Sequence, residues 1–145
     1  MPNSVKLHVI TPSKLFYEGD IELVIARTVS GEEGFMANHS WACKLLDAGA
    51  LWIKEAGAKE FMGAAVSGGF IDVMHDIVIY TDAAEWHSDI DMDKALATKA
   101  DAEKWLSEHQ GPDVDPDHIK AAKDAINRQE VRVKFAKSGG SRRSR

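Results

Sequence analysis

The residues of this chain with chemical potential gather in one stretch, SGEEGFMANHSW, from Ser30 to Trp41. Its glycines Gly31 and Gly34, the adjacent carboxylates Glu32 and Glu33, and His39 close behind are ingredients of a phosphate loop, a metal site or an acid/base pair. They are equally ingredients of a surface loop that grips another protein. A phosphate loop needs a lysine after its last glycine to reach the phosphates. SGEEGF has none, its carboxylates repel phosphate, and no helix is read after it, so a dinucleotide fingerprint fails as well. For a metal, folding would have to gather Glu32, Glu33 and His39 with His75, Asp76, Asp82 or His87, since no H-x-H or H-E-x-x-H spacing does so.

Asp89, Asp91 and Asp93 approach a calcium pattern without its glycine, and they read better as first-turn carboxylates that favour a helix dipole. Ser67 in VSGG is not a G-x-S-x-G elbow. Cys43, within WACKLL, reads as packed rather than reactive. His8 and His75 read as strand and turn surface residues. No constellation for covalent or acid/base work survives, and the residues argue against an enzyme. A free-standing sandwich that binds a small ligand or metal through Glu32, Glu33 and His39 stays as the second reading.

The elements that position these residues fall into two halves with different periods. VKLHVI (Val5–Ile10) alternates Val5, Leu7 and Val9 against Lys6, His8 and Ile10. In Ile21–Val29 the residues Ile21, Leu23, Ile25 and Val29 share a face that Arg27 interrupts. Ala50–Gly57, Glu60–Val66, Gly69–Met74 and Asp76–Thr81 follow, mostly bounded by Gly, Asp, Asn or Ser. Short strands at this spacing predict an all-β sandwich or barrel. A tight hairpin is expected at Met74–Ile77, and Gly68-Gly69 predicts a bulge or a close backbone approach.

After Trp86 the period becomes helical. Ser88 and Asp91 resemble a capping box, and Met92, Ala95, Leu96, Ala102 and Leu106 form one stripe. HQGPDVDP breaks it; Asp115 as cap and Pro116 as first residue start a second helix, striped by Ile119, Ala122, Ile126, Gln129 and Val133. The organisation is α+β by segment: a β-sandwich over residues 1–87, an antiparallel two-helix hairpin over 88–137, and a disordered tail over 138–145. The alanine-rich hairpin buries little apolar area, so it is expected to be marginal alone and able to detach.

With 145 residues the chain suits one domain, or one domain with an appendage. A single cysteine excludes a disulfide framework and a structural cysteine–zinc site, and fits a reducing compartment. No secretory signal is read at MPNSVKLHVI, and no apolar run approaches the roughly 18–20 residues that span a bilayer. The expectation is a soluble protein, or one held at a membrane by partners. The net charge of −5 conceals a basic end: residues 120–145 hold nine basic and two acidic residues. Phe135 is the only aromatic there, so nucleic acid is not favoured, and an acidic protein surface is at least as good a target.

Three motifs carry a family resemblance. They are G-E-E-G from Gly31, with His39 beyond it and Leu45, Gly49, Leu51 and Ile53 following; SGGFIDVMHDIVIYTDAAEW from Ser67; and I-D-M-D-K-A from Ile90. Together, in order, they are similar to the ε subunit of F-type ATP synthase. The resemblance implies a sandwich of about ten strands followed by a two-helix hairpin, which agrees with the periodicity. It implies a rotor subunit without an active site, bridging the γ subunit and the c-ring, on the cytoplasmic face of the membrane. Glu32 is placed by resemblance against the c-ring and His39 near γ. Trp41 is either an exposed anchor beside them or a core residue.

The hairpin is expected either to lie folded or to extend toward the αβ catalytic head and inhibit ATP hydrolysis. Lys120, Lys123, Arg128, Arg132 and Lys134 would face the acidic segment that the β subunits present. Some members bind regulatory ATP on the folded hairpin, at positions matching Asp91, Lys94 and Arg128. Here an arginine of that pattern is Lys94, which lacks the bidentate fork, and a basic position is Asp124, so weak ATP binding or none is expected and no other cofactor. Two prolines flanking the family's histidine are absent from Ala37-Asn38-His39-Ser40-Trp41. Ile77 and Thr81 also depart from the closing-strand motif.

Overall fold

A computed structural model of the protein describes residues 3–137; the tail read over 138–145 lies outside them. Nine strands come first: β1 (Val5–Ile10), β2 (Leu15–Thr28), β3 (Gly31–Phe35), β4 (Ala42–Leu46), β5 (Gly49–Glu55), β6 (Met62–Val66), β7 (Gly69–Val73), β8 (Ile77–Tyr80) and β9 (Ala84–Trp86). A 3-10 turn at His87–Asp89 leads into α1 (Met92–Glu108) and α2 (Pro116–Lys137).

The long strand β2 serves two layers. Its first half pairs antiparallel with β1, which runs parallel to β8, and β7 and β4 continue that layer. Its second half lies between β3 and β5, and β6 and β9 complete the other layer. Leu7, Val9, Val24, Phe35, Ile53 and Ile79 are fully buried between them.

Within β2 the structure corrects the expected face. Ile21 is buried, but then Val24, Ala26 and Thr28 point inward while Val29 is exposed. Pairing with β5 steps from Ile21↔Glu55 to Leu23↔Lys54, leaving Glu22 as an extra residue. Such a bulge moves every later side chain to the opposite face, which also carries Arg27 to the outside. The stretch read as a loop at Gly31–Phe35 is a strand, joined to β2 by a two-residue turn in which Thr28 Oγ1 donates to Gly31 O at 3.0 Å.

Cys43 is likewise exposed rather than packed, because β4 turns Leu46 inward and Cys43 and Leu45 outward. At Gly69 the close approach is confirmed: an added Cβ would lie 1.9 Å from Tyr80 O, at φ +126. The Met74–Asp76 turn closes β7 onto β8, with Met74 N–H donating to Asp76 O at 3.0 Å.

Asp91, and not Ser88, caps α1: its carboxylate accepts from the Lys94 N–H at 3.0 Å. Ser88 is taken up by the 3-10 turn that follows β9. The start of α2 matches expectation, Asp115 accepting from the Asp117 N–H at 2.9 Å ahead of Pro116. Ile119, Ala122, Ile126, Gln129 and Val133 are buried or half-buried, whereas Leu96 of the α1 stripe is exposed. The helices pack on each other, and α2 reaches β5 and β6.

Candidate functional site

The two outer faces of the sandwich differ. Across β4, β7, β8, β1 and β2, the directly opposed residues Leu45, Phe70, Tyr80, Ile10 and Leu15 form one outward row. Leu45 is 65% exposed and Leu15 51%, and the Phe70 and Tyr80 rings stack at 4.7 Å between them. A contiguous apolar row left open on a folded domain marks an interaction surface. The next row is polar: His8 sits between Glu18, 3.6 Å from its Nδ1, and Asp76, 3.8 Å from its Nε2. Sequence reasoning missed this face. Part of its signal lies in Val5–Ile10, where Ile10 is apolar on the side that carries Lys6 and His8.

The opposite face is covered by the hairpin. Trp52 of β5 and Ala65 of β6 are buried against Phe135 of α2, with Trp52 and Phe135 edge to face at 5.3 Å. The His87 ring also meets Phe135 edge-on at 5.2 Å, and its Nε2 donates to Ala136 O at 3.4 Å. The polar fastening is a bidentate pair: Arg132 Nε and Nη2 donate to the two Glu85 oxygens at 2.8 and 3.0 Å, and Nη1 donates to Gln129 Oε1 at 2.6 Å. Glu85 was not singled out in the sequence, because its partner lies 47 residues away. Across the helices, Lys99 bridges Glu130 at 3.6 Å.

The residues singled out in the sequence are dispersed. Glu33 is bound to Lys44 of β4, His39 Nδ1 donates to Ser40 O at 2.7 Å, and Glu32 stands opposite Arg27 in the β2–β3 ladder. Among the described residues no group of three or more His, Cys, Asp or Glu could hold a metal ion. His39 leans on Phe35 at 5.1 Å beyond a turn in which Asn38 takes φ +65, doing without the missing prolines. Trp41 is 66% exposed and meets His75 edge to face at 5.3 Å, which rules out the core position for it.

On α2, Lys120 and Lys123 face outward. Arg132 is held by Glu85, while Lys134 lines a cavity on the other side of the helix with Glu32 and Arg27. Arg128 lines two adjoining cavities with Ser67 and Ala83, one of which also includes Asp82 and Asp124. Asp91 and Lys94 line neither of these. Partial burial of Tyr17, then its hydrogen bond to Glu55 at 3.1 Å, then the Glu55 and Asp20 charges hold its pKa well above the ordinary phenol value.

One face open and apolar, the other occupied by a fastened hairpin, define a docking subunit of a larger assembly. Comparison with known proteins identifies the assembly. Residues 4–87 match the family described as ATP synthase, Delta/Epsilon chain, beta-sandwich domain. The ATP synthase epsilon chain of Alkaliphilus oremlandii is 39% identical over 112 residues, 77% of this chain and 82% of that one. The epsilon chain of Caldanaerobacter subterraneus subsp. tengcongensis is 36% identical over 138 residues, 94% of this chain and 96% of that one.

A chain in the cryo-EM structure of the Euglena gracilis mitochondrial ATP synthase (OSCP/F1/c-ring) superposes with a TM-score of 0.73 at 23% identity, covering 90% of this chain and 79% of that one. A chain in the Tetrahymena thermophila central stalk/c-ring structure gives 0.60 at 15%, covering 91% and 96%. These two share the fold. The chain belongs to the ATP synthase epsilon chain family, and as an epsilon chain it is a non-catalytic stalk subunit of that complex. Among the described residues no helix is long and apolar enough to cross a membrane.

Proposed function

We propose that this chain is the central-stalk rotor subunit that links the γ subunit to the c-ring and supports coupling of ion translocation to ATP synthesis. Its C-terminal helices, on this reading, reach the αβ catalytic head and inhibit ATP hydrolysis. Residues 1–87 are the rotor-binding unit, 88–137 the regulatory hairpin, and the complex holds the protein peripherally on the cytoplasmic face of the membrane. The observation that carries the reading is the family match across the sandwich, continued through both helices by relatives matched almost end to end.

The exposed row from Leu45 to Leu15 supports a docking role for the sandwich, with the exposed Trp41, just ahead of β4, as a further anchor. For ATP, the Asp91 carboxylate is already engaged as a cap, and Asp124 shares a cavity with Arg128. Both favour weak regulatory binding or none. The test combines capture and truncation. The full chain should co-purify with a γ–c-ring assembly and Phe70→Glu should not; deleting residues 88–137 should raise ATP hydrolysis of the assembled enzyme. Hydrolysis as low without the hairpin as with it removes the inhibitory role, and capture undisturbed by Phe70→Glu removes that face as the docking surface.

A further inference from the structure

The cavity beside the last turns of α2 lies on the seam where the hairpin meets the sandwich, next to the Trp52–Phe135 contact. It measures about 380 Å³ and lies between the β2–β3 hairpin, the start of β5 and the helix. Trp52, Val131 and Phe135 give it an apolar, partly aromatic wall; Arg27 and Lys134 bring two cations to it and Glu32 one carboxylate. Two of its lining residues, Gly31 and Gly49, carry no side chain. A side chain at Gly31 would project into free space, and Gly49 has no Cβ where the Arg27 stem crosses it, since an added one would lie 3.2 Å from Arg27 Cδ. Arg27 and Glu32 are cross-strand neighbours, and with Lys134 the lining carries two cations against one carboxylate, a net positive charge.

We propose that this cavity is a binding site for a small monoanion with a flat apolar body, of the aromatic carboxylate class. The planar body lies against Trp52 and Phe135, and the carboxylate is drawn to Arg27 and Lys134, whose guanidinium and ammonium groups suit it. Because the walls come from β2, β3 and β5 on one side and α2 on the other, the bound ligand holds the hairpin to the sandwich: whatever binds the docked form alone stabilises it. The site meets one of the cavities lined by Arg128 at Val131 but shares none of their charged residues.

The test titrates 2-naphthoate into the full chain, followed by amide NMR shifts. The expected result is saturable movement at Arg27, Gly31, Gly49 and Lys134, together with slower hydrogen exchange in α2. Lys134→Glu and Arg27→Gln, both at exposed positions, should each weaken binding about tenfold, and uncharged 2-naphthalenemethanol should bind at least tenfold more weakly than the acid. Three results overturn the proposal: no shift at about 5 mM, where a millimolar binder is still seen; shifts confined to Leu45, Phe70 and Tyr80; or equal affinity for acid and alcohol.

Discussion

Replacing Glu85 with glutamine keeps its shape and removes its charge, and it should release the hairpin while the sandwich stays folded. The side chains of Arg132 and Glu85 are 18% and 30% exposed, so the pair is neither a surface contact nor a buried one. Exposed ion pairs contribute about 0–1 kcal/mol and charged hydrogen bonds about 1.5–3. With two donors engaged but solvent screening the open side, about 1–2 kcal/mol is expected for this one. That corresponds to roughly a 5- to 30-fold rise in the undocked population.

Hydrogen exchange reads it directly. Amides of α2 that exchange by undocking should speed up by that factor in Glu85→Gln, with β1, β7 and β8 unchanged, and the difference should shrink in about 1 M salt as the charges are screened. Unchanged exchange in α2 would refute the latch. A uniform acceleration through the core strands would refute it too, since that is loss of global stability and not undocking.

Two further outcomes follow from single residues. Gly69→Ala should destabilise the sandwich by about 2–4 kcal/mol in urea unfolding, because a Cβ there meets the Tyr80 carbonyl and the backbone sits at φ +126. Tyr17 titrates above its ordinary pKa in the folded chain, so above about pH 10 the folded state holds a proton that the unfolded state has lost. Stability should therefore fall as pH rises through that range, and Tyr17→Phe should flatten the fall in a series of thermal melts.

Much of the fold was legible because it rests on local periodicity. The alternation of Val5–Ile10, the Asp115-Pro116 helix start and the α2 stripe are each decided by residues within a few positions of one another. What stayed hidden depends on distant partners. The bulge at Glu22 is set by how β5 pairs with β2, so the faces of Val24 and Ile25 were assigned the wrong way round. Gly31–Phe35 looked like a loop because glycines and carboxylates are poor strand formers; pairing along β2 overrides that preference. For the surfaces proposed to dock, the resemblance points to Glu32, His39 and Trp41. The five-strand apolar row becomes visible only once the register puts Leu45, Phe70, Tyr80, Ile10 and Leu15 side by side.

Arg132 bears on how one basic helix could serve two addresses. Docked on the sandwich, its guanidinium fork is filled by Glu85, while Lys120 and Lys123 stay exposed. If α2 reaches an acidic segment of the catalytic head, as the proposed function has it, it gives up that carboxylate and gains one of the same kind there. On that reading the exchange is close to neutral, so a difference of a few kcal/mol in the remaining contacts decides where the hairpin rests. Glu85→Gln and Arg132→Gln break the same docked pair, yet they should not have the same effect on the assembled enzyme. Glu85→Gln frees the hairpin with its arginine intact and should deepen inhibition of ATP hydrolysis. Arg132→Gln frees it equally but removes one of the bases the head would engage, so it should inhibit less than Glu85→Gln. If both variants shift hydrolysis in the same direction and to the same extent, Arg132 acts only as a fastening and the exchange does not occur.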